Sequence, residues 1–203
     1  GNKGTEIAKA AASLVITNDD LDKLIVGIAA GRRIYSNLKK AIQYIISIHI
    51  PIILTVTLPL FLGWVFSHIF TPVHVIFLEL VMGPTCSIVY ENEPLEKNIM
   101  KQKPRVMTET FLNWRELATS IIQGLAITLG VLFVYQWSVW FGGNEEKTRA
   151  LVFTTLIFAN VFLSLVNRSF YYSIITCFKH KNILFPFVIG STLFILLLIL
   201  YVL

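Results

Sequence analysis

Five stretches of this chain are long and apolar enough to cross a lipid bilayer, and that feature constrains its fold more than any other. They are residues 41–66, 74–90, 117–141, 150–166 and 183–203. Each approaches the roughly 20 residues that a hydrocarbon core requires of a helix. Of the 203 residues, 55% are hydrophobic and 14% charged, against about 25% charged in a soluble domain. The expected fold is therefore an all-α, multi-pass membrane protein. Trp64, Tyr90, Trp137 and Trp140 fall near predicted span ends, where amphipathic rings favour the interface.

Residues 1–40 are polar by comparison and lack the pattern of a signal peptide. TEIAKAAA suits a short helix, and SLVIT is a short β-rich run. Asp19 is placed to cap the next helix, with Asp20 and Asp22 near its positive end. No stop signal separates that helix from the first span, so residues 23–40 are expected to run into the membrane as a stalk. Because the chain opens at Gly1 rather than Met, it is expected to be part of something longer.

Of the 17 Lys and Arg, seven precede residue 41, five lie in 91–116 and three in 168–181; only Lys147 and Arg149 lie in the other loops. Positive residues favour the cytoplasmic side, so the N-terminus and the loops 91–116 and 167–182 are expected there. The same bias accounts for the net charge of +5 without nucleic acid, and no basic groove interleaved with aromatics is present. Cys86 and Cys177 are far apart and suggest neither a disulfide framework nor a zinc site.

One carboxylate, Glu79, lies well inside a span. An ionised carboxylate at the bilayer centre costs about 2.5–3.5 kcal/mol on insertion scales, so it faces protein, binds a cation or stays protonated. Gly83-Pro84 follows. Proline removes the N–H that would bond the Leu80 carbonyl, and a break at membrane depth would offer that oxygen to an ion. Pro51 frees the Ser47 carbonyl in the same way, two residues after His49. Met82 and Cys86 follow Glu79 at i+3 and i+7 and are expected on its face. Asn160 is a polar residue in the fourth span, open to either ligation or interhelical hydrogen bonding. The candidate cation site thus comprises Glu79, the principal metal ligand, with His49, Gly83, Pro84 and Asn160 and the carbonyls of Ser47 and Leu80. There is no phosphate loop, triad or pair of catalytic acids.

Gly4, Thr5, Ala8 and Lys9, then Asp19-Asp20, then Gly31, Arg32, Tyr35, Asn37, Leu38 and Lys39 resemble the calcium-pump-like branch of P-type cation-transporting ATPases. The loop ENEPLEKNIMKQKPR adds Pro94, Ile99, Met100, Pro104 and Arg105. The resemblance covers the whole chain, with its specific motifs in residues 1–50 and 76–105. It implies that residues 1–22 end an α/β phosphorylation domain. It also implies that the five spans are helices five to nine of a ten-helix pump, and that loop 91–105 docks on the phosphorylation domain. Mg and ATP would bind in missing parts of the same pump, which carry the phosphorylated aspartate; this portion alone would not hydrolyse ATP. A plasma (inner) membrane location and transport of a cation, calcium by resemblance, are the corresponding expectations.

The resemblance also exposes departures. Calcium pumps offer Asn and, three residues on, Glu from the fifth helix; those positions are His49 and Ile52 here. Asn, Thr and Asp of the sixth helix correspond to Glu79, Met82 and Gly83, and Asn160 is the polar residue nearest the acid of the eighth. Calcium takes 6–8 oxygen ligands, whereas a set with His, Met and Cys is softer and suits a transition metal. Two other readings are a pump-derived scaffold or regulator without ATPase activity, and a passive cation channel filtered by Glu79.

Overall fold

A computed structural model describes residues 4–17, 20–105, 110–169 and 182–201, without the side chains of Cys86 and Ser87. The elements are α1 (Glu6–Ala11), α2 (Asp22–Phe61), α3 (Pro72–Pro84), a π-helical turn (Thr85–Tyr90), a 3-10 turn (Ile99–Lys101), α4 (Trp114–Trp140), α5 (Glu145–Val166) and α6 (Leu184–Tyr201). Among the described residues, five helices are long and apolar enough to cross a membrane: α2, α3 with its π turn, α4, α5 and α6.

The described part is all-helical. SLVIT forms no strand, because a strand needs a neighbour to satisfy its backbone, and none is described. α2 begins where the Asp22 N–H donates to Asp20 Oδ1 at 3.1 Å; Asp19 lies outside the described residues. As expected of a helix without a stop signal, α2 runs unbroken for 40 residues, through both Pro51 and Pro59. It ends at Phe61, five residues before the expected 66, because Gly63 takes φ +62° and reverses the chain. α4 starts with the Asn113 N–H donating to Glu116 Oε2 at 2.7 Å, and α5 with the Lys147 N–H donating to Asn144 Oδ1 at 2.9 Å.

Gly83-Pro84 does not break α3. The chain stays helical and changes register, passing into the π turn at Thr85. Pro84 has no N–H to give the Leu80 carbonyl, and a π turn absorbs the lost bond without ending the helix.

α2 is the central helix. It packs along α4 and against α5, while the π turn lies against α2 and α6. Tyr44, Ile48, Val131, Tyr135, Val152, Phe153 and Leu156 are among the core side chains between them. Tyr90 is wholly buried, 5.4 Å from the ring of Tyr44, and its hydroxyl donates to the Ser164 carbonyl at 3.3 Å; it is not an interfacial anchor. Trp64 packs on Tyr135 at 4.9 Å between ring centroids, whereas Trp137 and Trp140 are exposed at the end of α4. The loop joining α2 to α3 is fastened by Tyr135, whose hydroxyl accepts from the Phe66 N–H at 2.9 Å, and by Arg149, which donates to the Ile69 carbonyl at 2.8 Å.

Candidate functional site

The structure brings His49 of α2 and Glu79 of α3 together, with 3.6 Å between His49 Nε2 and Glu79 Oε1. That is ion-pair distance but too long for a direct hydrogen bond. His49 Nδ1 lies 2.8 Å from the Ile45 carbonyl of its own helix. A carbonyl only accepts, so Nδ1 carries the proton and Nε2 is the nitrogen turned to Glu79.

The pair lies on an open face: 41% of the His49 side chain and 57% of that of Glu79 are exposed. Ile45, Ile53, Val56 and Leu60 of α2 and Ile76 and Leu80 of α3 are exposed as well. Nothing lies within 4 Å of where a Cβ on Gly83 would stand, so Gly83 also borders open space. Pro84 is part-buried, at the step from α to π register.

The other sequence-predicted residues lie elsewhere. Met82 is 3% exposed and belongs to the hydrophobic core. The side chain of Cys86 lies outside the described residues. The Ser47 carbonyl faces α4, where a Cβ on Gly124 would stand 2.8 Å from it. Asn160 is buried, and its Oδ1 accepts a hydrogen bond from the Tyr44 hydroxyl on the face of α2 that meets α5. Among the described residues, no three His, Cys, Asp or Glu side chains gather into a metal-binding group.

Loop 91–105 folds back on α2. Arg32 donates to the carbonyls of Ile99 at 2.6 Å and Gln102 at 2.8 Å, and the Arg105 guanidinium stands 4.9 Å from the Tyr35 ring centroid. Ile99 is buried, Pro94 part-buried, and Met100 and Pro104 are exposed. Asn37 donates to the Glu93 carbonyl at 2.8 Å.

Sequence reasoning missed the buried ion pairs at this end of the bundle. Lys40 bonds Glu96 at 2.7 Å. Arg168 bonds Glu93 at 2.6 Å, Asn182 donates to the same carboxylate at 2.8 Å, and Arg168 stacks over Phe185 at 4.5 Å. The available signal was spacing: Asn37, Lys40, Tyr44, Ser47, Pro51 and Thr55 recur at helical intervals, and all are buried.

Residues 67–203 match the family described as "Cation transporting ATPase, C-terminus". The chain is 30% identical to calcium-transporting ATPase 1 of Lactococcus lactis over 82% of its length and 18% of the relative's. It is 27% identical to a calcium-transporting ATPase of Listeria monocytogenes over 94% of its length and 21% of the relative's. It is 21% identical to the human calcium-transporting ATPase type 2C member 1 over 99% of its length and 22% of the relative's. The chain thus spans about a fifth of the length of these curated relatives.

Proposed function

We propose, from the premise that this chain belongs to the cation-transporting ATPase family as its C-terminal membrane portion, that the His49–Glu79 pair is part of the intramembrane cation-binding site of an ATP-driven pump. The observation that carries this reading is the placement of a carboxylate and an imidazole 3.6 Å apart on two membrane helices, on a face that this chain leaves open. A carboxylate facing hydrocarbon would cost about 2.5–3.5 kcal/mol or more, so that face needs cover or a counter-charge. Segments of the longer pump cover it, and the transported cation supplies the charge. Because the relatives are calcium-transporting ATPases, calcium is the cation that the family suggests.

The remaining parts take supporting roles. The Leu80 carbonyl, which Pro84 cannot bond because it lacks an N–H, serves as a further oxygen ligand. Asn160 acts through Tyr44, holding α2 against α5, rather than by touching the ion. Loop 91–105, tied to α2 by Arg32, docks on the phosphorylation domain and passes its movement to α2. ATP and Mg bind in that cytoplasmic part, and the N-terminal half of α2 is the stalk. The excess of Lys and Arg in 1–40, 91–116 and 167–182 orients these segments to the cytoplasm, in a plasma membrane.

The test is ion-stimulated ATPase activity in the full-length pump carrying Glu79→Gln. Stimulation by calcium should collapse, while phosphorylation from ATP-independent routes persists. Unchanged ion dependence would remove Glu79 from the site.

A further inference from the structure

We infer that His49 Nε2 is itself a metal ligand, so that the site takes a divalent transition cation of the zinc and cobalt class through one imidazole nitrogen and the Glu79 carboxylate. The inference rests on the cation-site reading above and adds which atoms bind and which cations they favour.

The tautomer is the first argument. With the Nδ1 proton held by the Ile45 carbonyl at 2.8 Å, Nε2 is the ring nitrogen turned to Glu79 Oε1. The two atoms stand 3.6 Å apart, beyond the range of a direct hydrogen bond. Two ligand atoms about 2.1 Å from one ion at a tetrahedral angle stand about 3.4 Å apart, close to the observed separation.

The second argument is the outer contact. A metal-binding histidine characteristically donates its other ring N–H to a carbonyl or carboxylate, which fixes the ring and raises the basicity of the ligating nitrogen. The His49–Ile45 bond is that arrangement, made within one turn of one rigid helix.

Third, the chemistry of the pair selects the ion. Calcium binds through oxygen, with 6–8 ligands at about 2.3–2.6 Å, and gains little from an imidazole. Imidazole suits zinc and its neighbours, and carboxylate completes a borderline set. The site is not soft in the copper(I) sense, because Met82 points into the core. Carbonyls at the π turn and groups from the rest of the pump complete the coordination.

The experiment uses the purified full-length pump and the bare ions. Co2+ added to the wild type should give intense visible d–d bands from a low-symmetry, nitrogen-ligated ion, and Zn2+ should bleach them. His49→Asn exchanges the nitrogen for an amide oxygen. It should weaken Zn2+ binding at least about tenfold while leaving calcium binding no weaker. Co2+ spectra that stay those of the hydrated ion in the wild type would overturn the inference, whatever the variant does. So would a Zn2+ affinity that His49→Asn leaves unchanged. Glu79→Gln separates the two levels. If it weakens both Zn2+ and calcium while His49→Asn alters neither, only the imidazole assignment falls. If Glu79→Gln alters neither ion, the cation-site reading falls with it.

Discussion

Lys40 and Glu96 form an ion pair of 2.7 Å in which only 1% of the lysine side chain is exposed. Glu96 Oε1 also accepts from the Ser169 hydroxyl at 2.8 Å, so one carboxylate joins α2, loop 91–105 and the segment after α5. Breaking such a pair leaves a buried charge without its partner and costs about 3–5 kcal/mol, whereas replacing both partners with apolar groups is often neutral. Glu96→Gln should therefore destabilise the protein by that amount, and Lys40→Met with Glu96→Leu by much less. Unfolding free energies in detergent micelles check both. Equal losses in the single and double variants would show that the pair contributes through packing rather than charge.

Gly124 sets how closely α4 approaches α2. A Cβ there would stand 2.8 Å from both the Ser47 carbonyl oxygen and Ile50 Cβ, closer than such contacts allow. The neighbour is backbone and cannot turn away. Overpacking of this kind costs about 1–3 kcal/mol. Gly124→Val should lower the thermal midpoint in detergent, and Gly130→Ala, where nothing lies within 4 Å, should not. A midpoint unchanged in Gly124→Val would mean that α4 shifts along α2 without loss.

Several of these features were legible in the sequence and others were not, for identifiable reasons. Apolar length located the five helices that, among the described residues, are long and apolar enough to cross a membrane, and the missing stop signal foretold the unbroken passage of α2 from its polar half into its apolar half. Its end was misplaced because Leu62 to Val65 remain mostly apolar, and hydropathy does not sense the left-handed turn at Gly63. The proline at 84 signalled a lost hydrogen bond but not the response to it. A break and a π turn satisfy the same local constraint, and the π turn also lies against α2 and α6. Lys40 read as one more positive residue setting orientation. Its burial depends on Glu96, 56 residues away, which no local pattern reveals. Of the candidate site, His49 and Glu79 were found as neighbours by chemistry alone, but Met82 followed its helix face into the core.

The π register should be reversible by one substitution. Pro84→Ala restores an N–H opposite the Leu80 carbonyl and removes the local reason for the wider turn. Amides of residues 85–90 should then exchange more slowly. The hydrogen bond from Tyr90 to the Ser164 carbonyl, 3.3 Å at present, should weaken as residue 90 rotates. Hydrogen exchange read by mass spectrometry across Thr85–Tyr90 checks this. Unchanged exchange would assign the π turn to packing against α2 and α6 rather than to the proline.

The Tyr44–Asn160 hydrogen bond separates a structural polar residue from a ligand. Asn160 is 1% exposed, and its Nδ2 has no hydrogen-bond partner, so the residue is held by Tyr44 alone among the described side chains. Asn160→Ala removes the acceptor side of the Tyr44–Asn160 hydrogen bond, which costs about 1–3 kcal/mol. Tyr44→Phe leaves Asn160 with a second unpaired group and should cost a similar amount. Because the two residues share one bond, the double variant should lose less than the sum of the singles. If Asn160 supports α2 and does not touch the ion, both single variants lower stability in parallel, and calcium affinity in the full-length pump moves by the same small factor in each. A loss of calcium affinity in Asn160→Ala far exceeding that in Tyr44→Phe would place Asn160 among the ligands.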